Sequence, residues 1–162
     1  MAISGTVDLS PFASTIFKRT YQFHPNETWS QCAWRVADTI ADDVKQRDEF
    51  FSIINDRIFM PGGRYLYSCG RPINQLSNCF GLNVHDSREG WADTLRDATM
   101  CLSMGGGVGI NYSQTRSAGT PIGRMGGTSS GPIALMQMVN EVGRHVMSGG
   151  ARRSAILACL DW

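Results

Sequence analysis

The residues best suited to chemistry in this sequence are its five cysteines. They are far apart in the chain, at Cys32, Cys69, Cys79, Cys101 and Cys159. Their number is odd, and they form neither a CxxC pair nor a cluster with histidines, which argues against a disulfide scaffold and a structural zinc site. Cys32 falls on a helical apolar stripe, Cys101 on a helix and Cys159 in an apolar strand, which predicts that these three are packing residues.

Cys79 differs from the other cysteines in its neighbours. From Asn78 to Val84, apolar residues alternate with small or polar ones, which predicts a strand with one packed face. Phe80 and Leu82 belong to that packed face, whereas Cys79 lies on the opposite face among small neighbours. That face is not packed like a core, which distinguishes Cys79 from the cysteines that are predicted to be packing residues.

Glycine is the second residue type that could serve chemistry. The chain has 18 glycines, and they cluster at positions 62–63, 105–109, 126–127 and 149–150. Such clusters form tight turns, or they bring the backbone close to phosphate groups. The sequence alone leaves both interpretations open.

Composition limits the class of protein. Hydrophobic residues make up 42% and the net charge is +1, which gives no electrostatic reason to expect a nucleic acid or an anionic membrane as partner. The first fifteen residues lack the pattern of a signal peptide, and no apolar run approaches the roughly 18 residues of a membrane span. A cytoplasmic protein is expected.

The first third of the chain predicts helices. Residues 1–22 show no clear period and are expected to form an extended arm. A helix is predicted from Asn26 to Asp43, because Thr28 and Gln31 fit a capping box ahead of an apolar stripe. A second helix is predicted from Val44 to Arg57. Together these elements predict an N-terminal arm and helical region over residues 1–58.

The remainder, residues 59–162, predicts an α/β unit. A helix capped by Asp86 or Ser87 follows the strand of Cys79, and a short strand follows at 108–112. After a loop over 113–131 come a helix at 132–147 and an apolar strand at 155–160, which is expected to be buried on both faces. This order predicts a parallel or mixed sheet with covering helices. A sheet of so few strands would leave an unpaired edge strand and an uncovered face, so the sequence is expected to be incomplete.

Five segments in one order resemble the catalytic subunit of ribonucleotide reductase. They are Phe59-Met60-Pro61-Gly62-Gly63-Arg64, Leu76-Ser77-Asn78-Cys79-Phe80, Gly105-Gly106-Gly107-Val108-Gly109-Ile110-Asn111, Ser129-Ser130-Gly131-Pro132 and Gly149-Gly150-Ala151-Arg152-Arg153-Ser154-Ala155. The resemblance implies a ten-stranded α/β barrel behind an N-terminal helical region, of which this chain would hold the first strands and helices. The double arginine, Arg152-Arg153, and the GGGVG sequence at positions 105–109 resemble the adenosylcobalamin-dependent class II branch of the family.

The resemblance also implies roles for residues around the substrate. In the family, a thiyl radical abstracts the ribose 3′ hydrogen, and a cysteine pair then reduces the 2′ carbon and ends as a disulfide. Cys79 matches the first cysteine of that pair. The matching substrate-binding positions are Met60, Pro61, Ser77, Asn78, Gly106 and Gly107. Met60 departs from the family in one respect, because its side chain cannot donate a hydrogen bond as a hydroxyl could.

A second group of residues matches the family's site for a deoxynucleotide triphosphate effector. These positions are Asp86, Ser87, Arg116, Ile122, Met147, Ser148 and Arg152. The loop from Gly119 to Gly131 resembles the first specificity loop. The segment from Met147 to Ala155 resembles the second, which relays the identity of the effector to the substrate base.

The sequence holds no match to the second redox cysteine or to the radical-forming cysteine of the family. The chain is therefore expected to be inactive alone and to need a complementary C-terminal reductase chain or segment. The further partners implied are a ribonucleotide substrate, a thioredoxin-like reductant, and a second copy bound through the 132–147 helix. Two alternatives remain: part of a class I-type large subunit with a metal-containing radical subunit, and a non-catalytic nucleotide-binding regulatory module.

Overall fold

A computed structural model describes residues 8–72, 74–123, 126–146 and 154–161. Contacts divide the chain into two compact units, Met1–Leu76 and Ser77–Trp162. The sequence pattern places the change of character near residue 59, whereas the contacts place the division after Leu76.

The first unit is helical. Its elements are α1 (Pro11–Thr20), α2 (Trp29–Ile40), α3 (Val44–Asn55) and α4 (Gly63–Ser68). The prediction of an extended arm over residues 1–22 is wrong for 11–20. Ser10 caps α1 by accepting a hydrogen bond from the Ala13 amide, and Pro11 occupies the first turn. Phe17 is the one buried residue of this helix, too few for an apolar period to appear in the sequence.

Side-chain caps fix the starts of α2 and α3. Thr28 and Gln31 form the predicted capping box, because each side chain bonds to the backbone amide of the other. Asp43 caps α3 by accepting a hydrogen bond from the Gln46 amide at 2.8 Å. Because Asp43 is a cap, α2 ends at Ile40 and is shorter than predicted.

Cys32 belongs to the core of the first unit, as predicted. It is buried beside Arg35, whose Nε lies 2.7 Å from Glu27 Oε1 in an ion pair with little exposure. Burial raises the pKa of the Cys32 thiol to about 12, although the Arg35 guanidinium opposes that shift. The thiol is therefore protonated at neutral pH and suited to packing rather than to redox chemistry.

The second unit contains a parallel sheet. Strands β1 (Cys79–Asn83), β2 (Gly107–Asn111) and β3 (Ala155–Cys159) lie in the order β1-β2-β3, with Cys79 in register with Gly107 and Gly107 with Ala155. Helix α5 (Arg88–Ser103) connects β1 to β2, and α6 (Pro132–His145) precedes β3. The predicted order of strands and helices is confirmed, and the described sheet is not closed into a barrel.

Both helices pack on one face of this sheet. The buried residues of this core come from the strands and the helices alike: Val84, Ala98, Leu102, Val108, Ile110, Tyr112, Leu135 and Val139. Cys101 is half-buried against this core, which confirms that it is a packing residue. Within the second unit, no described element packs on the other face of the sheet, and Cys79, Asn83, Leu157 and Cys159 are exposed there.

The prediction that the last strand is buried on both faces is wrong for the described structure. Every residue of β3 is exposed, and Leu157 is 64% exposed. Cys159 is exposed too, so it is not a packing residue here. The apolar composition of β3 is typical of a strand that is buried on both faces. Burial also requires elements that pack on its free face and edge, and the described residues of the second unit include none.

Candidate functional site

Cys79 begins β1 on the open face of the sheet. Exposure alternates along this strand, with Cys79 exposed and Phe80 half-buried toward the helices, as the sequence predicts. The position is held by a parallel ladder, and the Gly107 amide donates to the Asn78 carbonyl across 2.7 Å. An exposed thiol on a fixed backbone is accessible to a substrate without movement of the strand.

Glycines keep the area beside Cys79 free of side chains. A Cβ placed on Gly81 or Gly109 would meet no atom within 4 Å, and one on Gly107 would lie 3.4 Å from Ala155 Cβ. A ligand can therefore lie directly over the backbone next to the thiol.

Gly106 faces the opposite way. A Cβ on this residue would lie 2.7 Å from Phe80 Cε2 and 3.0 Å from the Cys101 carbonyl oxygen. Packing alone accounts for the glycine at this position, so a substrate contact there would have to use its backbone.

The remaining substrate-binding candidates lie in both units. Ser77 and Asn78 are exposed and directly precede Cys79. Met60 and Pro61 belong to the first unit, where Met60 is exposed and Pro61 is buried. The part of the candidate substrate site that the second unit holds by itself therefore consists of Ser77, Asn78, Cys79 and the glycines beside the thiol, Gly81, Gly107 and Gly109.

A separate cavity of about 330 Å³ lies at the start of α5. It is lined by Asp86, Ser87, Arg88, Trp91, Arg116, Ile122, Thr128, Ser129 and Ser130. Four of these residues, Asp86, Ser87, Arg116 and Ile122, are effector-site candidates from the sequence, and the fold brings them together although they span more than thirty positions. Met147, Ser148 and Arg152 lie outside the described residues.

An ion pair and a helix cap shape the wall of this cavity. Arg116 Nε donates to Asp86 Oδ2 across 2.6 Å, and both side chains are partly exposed. Ser87 caps α5 by accepting a hydrogen bond from the Gly90 amide at 2.9 Å. A helix N-terminus carries unpaired N–H groups and a partial positive charge, so this wall favours an anion.

The opposite wall is the loop between β2 and α6. The Ile122 amide donates to the Gly127 carbonyl and the Ser129 amide to the Thr120 carbonyl, which makes a short hairpin. Gly131 closes the loop at φ 76°, and a Cβ there would lie 2.8 Å from the Ala118 nitrogen. A glycine is required at this position on both counts.

Sequence reasoning missed Arg88 and Trp91 as cavity residues, whereas Thr128, Ser129 and Ser130 lie in the loop from Gly119 to Gly131 that it assigned to the effector site. Arg88 and Trp91 are three positions apart on a helix, so they share a face. That spacing was a usable signal, because the pair follows directly on Asp86 and Ser87.

No group of metal-binding side chains occurs within residues 8–72, 74–123, 126–146 and 154–161. Over the same ranges, no helix is both long and apolar enough to cross a membrane.

The helical unit and the parallel α/β unit match two domains of one protein family. Residues 77–162 match the family model described as ribonucleotide reductase, barrel domain, and residues 7–74 match the one described as ribonucleotide reductase, all-alpha domain. The chain belongs to the ribonucleotide reductase family.

Individual relatives come from different branches. The chain is 34% identical over 118 residues to the ribonucleoside-diphosphate reductase large chain of Neurospora crassa, covering 72% of this chain and 13% of that protein. It is 28% identical over 175 residues to the vitamin B12-dependent ribonucleoside-diphosphate reductase of Mycobacterium tuberculosis, covering 99% of this chain and 25% of that protein.

The same fold occurs in a solved structure. The alpha subunit of the class Id ribonucleotide reductase of Actinobacillus ureae superposes with a TM-score of 0.81 at 17% identity, covering 94% of this chain and 28% of that chain. The chain therefore spans about a quarter or less of the curated relatives named above, and at this identity the structural likeness supports the fold alone.

Proposed function

We propose that this chain supplies the first redox thiol and an effector cavity of a ribonucleotide reductase, which reduces ribonucleotides to deoxyribonucleotides. The observation that carries the proposal is the position of Cys79, exposed at the start of β1 inside the region that matches the family's barrel domain. The glycines beside it, Gly81, Gly107 and Gly109, leave room for a ribose to approach the sulfur.

Cys79 acts as a reductant in this proposal. Once a thiyl radical has taken the 3′ hydrogen, the thiol pair delivers two electrons and its two protons. The 2′ hydroxyl leaves as water, and a disulfide forms between Cys79 and its partner. The radical-forming cysteine then returns its hydrogen to the 3′ carbon, which regenerates the thiyl radical. The parallel ladder holds Cys79 in place, so the sulfur need not be ordered when substrate binds. The second redox cysteine and the radical-forming cysteine come from another segment or chain.

A complementary reductase segment or chain is therefore a proposed partner, together with a ribonucleotide and a thioredoxin-like reductant. The exposed apolar residues of β3 support the first of these, because a parallel strand of this composition is normally covered on both faces. A thioredoxin-like protein would reduce the disulfide after each turnover by thiol–disulfide exchange.

Adenosylcobalamin is the proposed radical source. The vitamin B12-dependent relative and the sequence around the double arginine, Arg152-Arg153, support this proposal. The cavity of about 330 Å³ at the start of α5 is too small for a corrin, so the proposal places the cofactor mainly on the complementary segment or chain. The rival proposal, a class I-type enzyme with a metal-containing radical subunit, is supported by the large-chain relative from Neurospora.

The cavity at the start of α5 is the proposed site for a deoxynucleotide triphosphate effector. The Asp86 carboxylate can accept a hydrogen bond from a ribose hydroxyl, and Arg116 can bind phosphate through nitrogens other than Nε. Ser87 and Ile122 line the same cavity. Met147, Ser148 and Arg152 are proposed to complete the site and to relay the effector's identity.

Helix α6 is proposed to pair with its copy in a homodimer. Its inner face buries Leu135 and Val139, while Ile133 and Met138 remain exposed on the outside. Polar residues occupy much of the remaining outer surface, so the apolar stripe there is narrower than the sequence predicts.

A second candidate function is a non-catalytic nucleotide-binding regulatory module. The observation that favours it is the cavity, which the second unit forms by itself, whereas only one thiol of the proposed redox pair has a match in this chain.

Co-expression with the reading frame that follows this chain separates these functions. The purified complex would be assayed for ribonucleotide reduction with and without adenosylcobalamin, and the isolated chain would serve as control. We expect reduction by the complex and none by the isolated chain. Cobalamin-dependent turnover supports the class II proposal, whereas turnover that needs a metal subunit supports the rival. A complex that binds nucleotide but never reduces it contradicts the proposed function and favours the regulatory module.

A further inference from the structure

We propose that Arg88 binds the outer phosphates of the cavity's ligand and thereby makes this site selective for polyphosphates over monophosphates. The inference rests on the proposed effector function of the cavity and adds a residue that the family resemblance does not supply. Among the described lining residues, Asp86 is the one carboxylate and Arg88 and Arg116 are the two cations, so this part of the lining carries a net positive charge.

The two arginines differ in what they already bind. Arg116 gives its Nε to Asp86, so part of its hydrogen-bonding capacity is in use. Arg88 is exposed and forms no ion pair with a described residue, whereas Arg96 on the same helix pairs with Asp93 and Asp97. A guanidinium without a carboxylate partner, on the wall of a cavity, retains all its donors for an incoming phosphate.

The position of Arg88 has a cost for the helix. It is the first residue of α5, where the partial positive charge of the helix makes a cation unfavourable and an anion favourable. Stability alone therefore gives no reason for an arginine at this position. A bound anion removes the conflict, because it interacts favourably with the guanidinium and with the free N–H groups of the first turn.

The other lining residues are consistent with a nucleotide as the ligand. Trp91 lies three residues further along α5 on the same face and also lines the cavity. Trp91 and Ile122 offer an apolar surface for a base or ribose, while Arg88 and Arg116 offer the cationic one. A nucleotide with a longer phosphate chain would engage Arg88 in addition to Arg116, and a monophosphate would not.

Calorimetric titration of the full chain with dATP, dADP and dAMP tests this inference. The variants are Arg88→Ala, Arg88→Gln and Arg88→Lys, with Arg96→Ala as the control that removes the same charge from the exposed side of α5. We expect Arg88→Ala and Arg88→Gln to weaken dATP binding roughly ten- to a hundredfold, as for lost charge-assisted hydrogen bonds, and dAMP binding far less. Arg88→Lys should retain most of the preference for dATP, and Arg96→Ala should behave as the unaltered chain.

Thermal unfolding without ligand separates binding from folding. Because the arginine opposes the helix charge, Arg88→Ala should unfold at the same temperature as the unaltered chain or higher. An unchanged dATP-to-dAMP preference in both Arg88→Ala and Arg88→Gln overturns the inference, and so does an equal loss in Arg96→Ala. If Asp86→Ala abolishes dATP binding while Arg88 variants bind normally, the effector site stands and only the role of Arg88 fails. If the unaltered chain binds no nucleotide, both fail.

Discussion

Arg116 donates from Nε to Asp86 Oδ2 across 2.6 Å and so joins the loop after β2 to the start of α5. Both residues line the cavity, so the ion pair connects its two walls. A ligand phosphate would share Arg116 with Asp86, and a ribose hydroxyl would share Asp86 with Arg116. A nucleotide in the cavity would therefore contact both residues of the ion pair.

Asp86→Ala should weaken dATP binding with little change in stability. Partly exposed ion pairs contribute about 0–1 kcal/mol to folding, so the free energy of unfolding in urea should change by no more than that. Asp93→Ala is the matched control, because Asp93 pairs with Arg96 on the exposed side of the same helix. Equal dATP affinities for Asp86→Ala and the unaltered chain would show that Asp86 is only a turn residue.

Local signals predicted much of the fold and of the candidate site. The capping box of Thr28 and Gln31 and the alternation around Cys79 depend on nearest neighbours, so a single sequence suffices to read them. The meeting of Asp86 and Arg116 could be expected only through the family resemblance, since no local pattern connects residues thirty positions apart.

The wrong predictions have physical causes. Helix α1 was missed because a single buried residue, Phe17, gives no period. The exposure of β3 was missed because an apolar composition favours burial but does not show which elements pack on the strand. Arg88 was passed over because a charged residue at the start of a helix is normally solvated surface, and only the folded loop opposite makes it part of a cavity.

Gly106→Ala should destabilise the chain by about 1–3 kcal/mol, the usual cost of overpacking a core. The added methyl group would lie 2.7 Å from Phe80 Cε2 and 3.0 Å from the backbone oxygen of Cys101, and the oxygen cannot move aside cheaply. Gly109→Ala is the control: its methyl group meets nothing within 4 Å, so the change should stay within about 0.5 kcal/mol. Urea unfolding followed by circular dichroism measures both. Similar losses of stability in the two variants would contradict the assignment of Gly106 to the packed face of the sheet and of Gly109 to its open face.

Stability should decline with alkaline pH, and Cys32 should account for part of the decline. Burial raises the pKa of Cys32 from 9.0 to about 12, so the fold favours the protonated thiol. That contribution is fully present below pH 9 and is lost as the pH rises from 9 toward 12. Unfolding in urea at pH 7, 9 and 10.5 should show a smaller decline for Cys32→Ala than for the unaltered chain. Identical pH dependence in the two chains would contradict a buried protonated thiol.

Cys79 and Cys159 form a matched pair for testing the redox assignment. Both are exposed, and the aligned register of the three strands places both on the open face of the sheet. Cys79 lies in the row of Gly107 at the start of the strands, and Cys159 lies in the row of Asn111 at their ends. Serine at either position should leave the free energy of unfolding of this chain within about 0.5 kcal/mol, as for other surface substitutions.

The two variants should differ in turnover. In an enzyme reconstituted with the remaining reductase segments, Cys79→Ser should abolish multiple turnover, because a serine hydroxyl cannot form the disulfide that accompanies reduction of the 2′ carbon. Cys159→Ser should turn over as the unaltered enzyme does, because Cys159 is at the far end of the strands from the proposed substrate. The measurement is deoxynucleotide formed per enzyme with dithiothreitol as reductant. Normal turnover by Cys79→Ser would show that another thiol reduces the substrate, while loss in Cys159→Ser alone would move the redox site to the opposite end of the sheet.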